Sequence, residues 1–385
     1  MRKVYLDHSA TSYVLPEVLD AMLPYFSERF GNPSSLHAFG RETRKILEDC
    51  REKVADLMGV HPVEVVFTGG GSEADNTAII GSLLAQRDKG NHLVTSTIEH
   101  HAIGHTCEFA KKYFGAEVTY VPVDRNARLD LEALQAAITD KTVLVSVMSA
   151  NNEVGTIQDL DAISAICADR GVRFHTDAVQ SIGLHDLKLS ERPISLASFA
   201  AHKFYGPKGV GCLIKRKNCK VIPLLHGGAQ EFGLRAGTEN IAGIVGLAKA
   251  LEIAMREMET NIARLTALRD KLVRGVLDSV PDTRLNGDPV NRLPHNANIG
   301  FNKVEGESVL LQLDLHGIAA SSGSACTSSS LNPSHVLTAM GLDPVTIHGS
   351  VRFTLGHRTT EEDIDYVLEV IPGAVEKLRA ISAVY

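Results

Sequence analysis

Val63-Glu-Val-Val-Phe-Thr68-Gly-Gly-Gly-Ser-Glu73-Ala-Asp-Asn76 decides the fold class. Apolar, mostly β-branched residues crowded into 63–68 predict a buried strand, three glycines break it, and a helical pattern begins after Ser72. Outward from this unit the same order recurs. Short apolar runs at 92–96, 117–121, 143–148 and 172–175 predict further strands, each separated by a helical stretch. Runs at 196–200 and 210–214 complete the set and lie close enough to be joined by a loop. Strands alternating with helices of about 10–15 residues predict an α/β fold, with a mostly parallel sheet covered on both faces. Such sheets bind ligands beyond the carboxyl ends of their strands.

From about Glu239 the pattern changes to a long helical stretch ending near Ser279, with Pro281 as its stop. A strand at 297–301, a helix at 305–316, a strand-like run at 318–321 and a closing helix at 360–380 follow. These predict a second, smaller α+β domain. The expected division is 14–258 for the large domain, with 1–13 and 259–385 forming the small one.

The chain has 385 residues, a length that suits two or three folding units. Hydrophobic residues at 44% and charged residues at 22% exclude a disordered or collagen-like chain. The net charge of −7, without a basic block, argues against nucleic-acid binding by phosphate neutralisation. No apolar run reaches the ~18 residues of a spanning helix, and Asp7 interrupts the N-terminus before any signal-peptide core forms. The six cysteines, Cys50, Cys107, Cys167, Cys212, Cys219 and Cys326, form no CxxC pair, against a disulfide scaffold or structural zinc. A cytoplasmic protein is expected, in which any cysteine that matters acts through its thiol.

Five features could carry chemistry. Gly69-Gly70-Gly71-Ser72-Glu73 places backbone N–H groups at a helix N-terminus, which suits an anion; a flexible turn with Ser72 as N-cap is the alternative. It matches neither GxxxxGK[ST] nor GxGxxG, so no nucleotide is indicated. Asp177 ends a strand and suits a protonated heterocycle, a metal, or an N-cap. Lys203 follows an apolar strand, where desolvation favours the neutral amine of a Schiff-base lysine, although most lysines are merely solvated. His100, His101 and His105 open a helix, with HxxxH spacing that suits zinc, a neutral imidazole stacked on an aromatic cofactor, or merely satisfied surface histidines. Cys326 lies in the low-complexity run SSGSACTSSS at 321–330, which suits a presented thiol or an incidental cysteine in a linker.

In order along the chain, GGGSEADN, EHHA, NNEVG, DAVQS, HKFYGPKG, RAGTEN and SSGSACTSSSL resemble the cysteine desulfurases of the NifS/IscS type. These are pyridoxal-phosphate enzymes of fold type I within the class V aminotransferase family. The resemblance runs from LDHSAT at 6–11 to the C-terminal helix, and Ser330-Leu-Asn-Pro333 is similar to the longer-loop group. It implies Lys203 as the Schiff-base lysine, Asp177 as partner of the ring nitrogen, and Gln180 as partner of the ring's phenolic oxygen. His100, rather than His101, is the implied ring-stacking and acid/base histidine. Gly71, Ser72 and His202 match phosphate-site positions. Thr238 matches a threonine that reaches the phosphate from a second subunit, so a homodimer is implied. Asn152 and Arg352 match residues that hold the substrate carboxylate.

The resemblance makes Cys326 the nucleophile, on a loop at about 321–333 that is expected to rest away from the cofactor, because it serves both the cofactor and an external acceptor. L-cysteine becomes L-alanine and the sulfur stays on Cys326 as a persulfide, for a sulfur acceptor such as an iron–sulfur scaffold. No resident metal is expected, with Cys326 the candidate iron–sulfur ligand; neither nucleic acid nor membrane is an expected partner. Two features depart from the family's pattern. Ala200 stands where relatives commonly have serine, which removes a hydroxyl contact to the phosphate. The chain also stops at Tyr385 without the longer tail of housekeeping relatives. The rivals are a selenocysteine lyase or another fold type I enzyme, a metal-dependent hydrolase on His100, His101 and His105, and a non-enzymatic sulfur or iron–sulfur carrier. The carrier leaves Lys203, Asp177 and Gln180 without a task.

Overall fold

The computed structural model describes residues 2–322 and 333–381. Among them the strands are β1 (Val4–Tyr5), β2 (Val65–Thr68), β3 (His92–Ser96), β4 (Glu117–Val121), β5 (Thr142–Ser146), β6 (Arg173–Asp177), β7 (Leu196–Ala200), β8 (Gly211–Lys215), β9 (Thr283–Asn286), β10 (Asn296–Phe301), β11 (Ile318–Ala319) and β12 (Ser350–Thr354). Seven of them form one sheet in the order β2-β8-β7-β6-β5-β3-β4. The pairs from β4 through β7 are parallel; only β8 runs against both its neighbours. The run of β2, β3, β5 and β7 is buried at every position, as strands covered on both faces require. On one face Phe67, Phe199, Leu247 and Leu251 pack with the helix Ala38–Met58, through Leu47 and Val54. On the other face Val66, Leu93, Leu144 and Leu213 meet Ile79 and Ile103 of the helices Gly71–Ala85 and His101–Phe114.

A separate core gathers Leu272, Ile299, Phe353 and Val367 around the antiparallel sheet β12-β10-β9. Val4 and Leu6 belong to this core, because β1 pairs in parallel with β11, Val4 opposite Ile318. The long helical stretch from Glu239 divides into Ile241–Arg256 and Met258–Ser279, interrupted at Glu257 (φ −99°, ψ 2°). The strand expected at 63–68 begins only at Val65. Pro62–Glu64 form a short 3₁₀ turn capped by His61, whose backbone N–H is taken in return by Glu64.

β8 and the turn before the helix Gly71–Ala85 shape the sheet's functional edge. A side chain at Gly211 would meet the Gly70 carbonyl carbon at 2.6 Å and the Phe199 oxygen at 2.8 Å. Only glycine lets the 69–71 turn lie against the end of β7. Gly70 itself has φ 154° and ψ 179°, a conformation essentially confined to glycine.

Candidate active site

A cavity of about 420 Å³ opens at the carboxyl edge of the large sheet. Met148, Ala150 and Asn152 reach it after β5; Asp177 ends β6; Ala200 ends β7 and is followed by His202 and Lys203. Gly71 and Ser72 enter beyond β2 and His100 beyond β3, while Gln180 and Arg352 complete the wall. This is the location expected for a ligand in an open parallel sheet. The structure therefore brings together Gly71, Ser72, His100, Asn152, Asp177, Gln180, His202, Lys203 and Arg352.

The glycine turn forms an anion cradle at one end. Gly70, not Ser72, occupies the N-cap, and no side chain caps this helix. Ser72 lies within the first turn, because Gly70 alone supports the backbone bend. A Cβ on Gly71 would stand 2.9 Å from Val179 Cγ2, so the cradle has no space for a side chain. His202, Lys208 and the 69–73 backbone line an adjoining open cleft, combining first-turn N–H groups with a cation. Glu73 steadies the turn by accepting from Gly69 N–H at 2.8 Å and from Arg235 Nε at 3.0 Å.

Lys203 lies in the 3₁₀ turn Ala201–Lys203, directly after β7. Its ammonium donates to the carbonyls of Ser9 and Ala10, the latter at 2.8 Å. Gln180 Nε2 donates to the same Ser9 carbonyl at 3.2 Å. Asp177 is buried, which raises its carboxyl pKa; the Val179 N–H at 2.9 Å and the Lys203 charge pull it back. Burial pushes the His100 pKa down to about 4, helped by the Lys203 charge. Burial and Lys203 likewise bring His202 to about 4. Both imidazoles are neutral near pH 7. His100 Nδ1 caps its helix by accepting from Ala102 N–H at 3.1 Å, which leaves the ring proton on Nε2.

Arg352, 2% exposed, donates to the Asn152 carbonyl and to Asp7 Oδ1, each at 3.0 Å. Asp7 is part of LDHSAT, yet nothing local announces its partner 345 positions away. Asp75, Glu153 and His335 also line the cavity and were absent from the expected set. Glu99 lies beneath it, accepting from Ser96 Oγ and Met148 N–H, and burial lifts its pKa to about 8.

Thr238 does not reach this cavity; it lines a separate cleft with Tyr25, Phe30 and Asn32. Cys326 lies outside the described residues. Of the other cysteines, burial pushes Cys50 to about 11 and Cys107 and Cys167 to about 12, and raises Cys212 and Cys219 as well. None of these five is a ready thiolate at neutral pH. His101 and His105 stack at 4.7 Å, but among the described residues no group of three or more His, Cys, Asp or Glu is arranged to hold a metal ion. The hydrolase alternative thus has no metal-ligand set there.

A mainly parallel sheet, a lysine after one strand, a buried acid ending the next and an anion cradle across from them define the fold type I pyridoxal-phosphate class. The cavity residues fit pyridoxal 5'-phosphate: the glycine cradle suits the phosphate, Asp177 a protonated ring nitrogen, and Lys203 an aldehyde. The chain belongs to the aminotransferase class-V family, whose model matches residues 4–367. Cysteine desulfurase IscS of Dictyoglomus turgidum is 51% identical over 381 residues, covering 99% of this chain and 96% of that protein. Cysteine desulfurase IscS of Methanosarcina thermophila is also 51% identical, over 99% of this chain and 94% of that protein. A solved NifS-like protein superposes with a TM-score of 0.92 at 37% identity, covering 98% of this chain and all of the other. SspA, solved in complex with cysteine, gives 0.79 at 33% identity, covering 92% and 99%.

Proposed function

We infer that this chain is a pyridoxal-phosphate-dependent cysteine desulfurase, converting L-cysteine to L-alanine and retaining the sulfur as a persulfide on Cys326. The carrying observation is the convergence of Lys203, Asp177, His100 and Arg352 on one cavity in a chain half identical to named cysteine desulfurases. When bound, pyridoxal phosphate supplies the electron sink that labilises bonds at the substrate α-carbon. The cradle at Gly71, Ser72 and His202 binds its phosphate, Asp177 holds the ring-nitrogen proton, and Gln180 orients the ring's oxygen. Arg352 binds the substrate carboxylate, with Asn152, and its contact with Asp7 fixes the guanidinium plane. Lys203 Nζ takes the α-proton. His100, neutral with its proton on Nε2, would stack on the ring and donate a hydrogen bond from that atom. The Cys326 thiolate attacks the substrate sulfur: a sulfur–sulfur bond forms, the carbon–sulfur electron pair stays with the β-carbon, which takes a proton to complete the methyl group, and Lys203 returns the α-proton to give alanine.

Several finer readings belong with this one. Leu19, Leu23, Phe26, Phe30, Leu36 and Phe39 are exposed large apolar residues in the segment bordering the Thr238 cleft, which favours a homodimer in which Thr238 serves the partner's phosphate. The interruption at Glu257 supports a division into 14–258 and a small domain of 1–13 with 259–385. An iron–sulfur scaffold is the proposed acceptor, with Cys326 the thiol that would meet an iron–sulfur cluster, and the cytoplasm is the proposed location. No described helix is long and apolar enough to cross a membrane. The experiment measures alanine formed from L-cysteine with a reducing thiol, for the native enzyme and Cys326→Ala. Alanine formation that the substitution abolishes supports the mechanism. Equal formation by both removes Cys326 from the nucleophile's role.

A further inference from the structure

Below the reacting residues lies a buried polar column that the reaction has not used. Asp75 comes from the helix Gly71–Ala85 and lines the cavity with Asp177, yet is only 1% exposed. Its Oδ1 is buried without a hydrogen-bond partner and stands 3.7 Å from His175 Nε2. His175 is fully buried on β6, with Nδ1 2.8 Å from Ser146 Oγ and Nε2 2.9 Å from Ser198 Oγ. Its two nitrogens are therefore occupied by hydroxyl groups, and burial holds its pKa down to about 3, so it supplies no positive charge.

The groups acting on Asp75 are the carboxyls of Asp177 and Glu99, the Ser198 hydroxyl and the neutral His175. Asp177 has two things Asp75 lacks, a backbone N–H at 2.9 Å and the attraction of Lys203. Two neighbouring buried carboxyls do not both ionise, and the charge settles on the better-solvated one. We propose that Asp75 is held as the neutral acid beside Asp177 in the same cavity, so that the pair carries a single negative charge and that charge resides on Asp177. The assignment rests on the role inferred for Asp177 toward the ring nitrogen. Burial and the Asp177 charge both favour the proton on Asp75, in the same direction as the geometry.

The test follows aspartate side-chain carboxyl ¹³C resonances against pH in the apoprotein, for the native chain, Asp75→Asn and Asp177→Asn. One aspartate carboxyl should remain in its protonated position through pH 7 in the native protein and be missing from Asp75→Asn. Removing a neutral acid should leave the Asp177 midpoint where it was. Asp177→Asn should lower the Asp75 midpoint, since it deletes a like charge. A downward shift of Asp177 in Asp75→Asn would overturn the assignment, because Asp75 would then carry charge. Should Asp75→Asn fail to fold, the native titration still decides: no aspartate protonated at pH 7 refutes the proposal. Adding pyridoxal phosphate separates the two readings. Loss of the cofactor's visible absorption in the native protein sinks the cofactor role of Asp177 and leaves the carboxyl titration standing.

Discussion

Ala200→Ser should tighten cofactor binding. Ala200 ends β7, is 2% exposed and lines the cavity floor. Its Cβ lies 3.6 Å from the point a Gly71 Cβ would occupy, so a serine hydroxyl would stand beside the anion cradle. Space for it exists because Gly71 has no side chain. A hydrogen bond to a charged group is worth about 1.5–3 kcal/mol. At about 1.4 kcal/mol per factor of ten, that range is roughly 10- to 150-fold in the dissociation constant. Fixing the serine rotamer and desolvating its hydroxyl draw the expectation to the lower end, about tenfold. The assay is dialysis of the holoenzyme against buffer, with retained pyridoxal phosphate read by visible absorbance and the dissociation constant by titrating the apoprotein. Alanine formation at saturating cofactor should change little, since the added contact is remote from the reacting carbon. A dissociation constant unchanged within a factor of about two would refute the reasoning and move the phosphate away from the Gly71–Ala200 gap.

Glu231→Ala should destabilise the protein by about 3–5 kcal/mol, the usual cost of leaving one member of a buried ion pair alone. Both side chains of the Arg51–Glu231 pair are 2% exposed, and Glu231 also accepts from Phe67 N–H at 2.8 Å. Thermal or denaturant unfolding checks this, and the combined Arg51→Met/Glu231→Leu variant should recover much of the loss; simple additivity of the two single losses would count against it. His295 is buried and its pKa is held at about 3, against about 6.5 when unfolded. It is neutral when folded and protonated when unfolded, so its contribution is present above pH 6.5 and is lost as pH falls towards 3. Relative to the native protein, His295→Gln should gain about 1.4 kcal/mol per pH unit between about pH 6 and 4, and a pH-independent difference in unfolding free energy would exclude the effect.

The order of elements in the large sheet was legible because its strands are buried on both faces and appear as compact apolar runs. The placement of Asp177 and Lys203 in the cavity was legible for a related reason, since they sit at or just past strand ends, where ligands are met. β12 was not legible. Ser350–Thr354 is short, buried at all five positions and lacks alternation, although it carries Arg352. The reversed direction of β8 also needed the structure, because a short loop after β7 is compatible with several pairings until Ala200 is seen opposite Gly211.

Taken alone, the amino-acid sequence determined the α/β class, the succession of strands and helices, and the residue types that line the cavity. Those properties follow from local hydrophobic patterning and from motifs a few residues long. Tertiary structure decided which distant residues share an environment. It set Asp7 against Arg352 and Gly70 against Gly211, and gathered Asp75 and Asp177 into one cavity. Burial and desolvation belong to the assembled neighbourhood, so protonation states that depend on them have no counterpart in the linear chain.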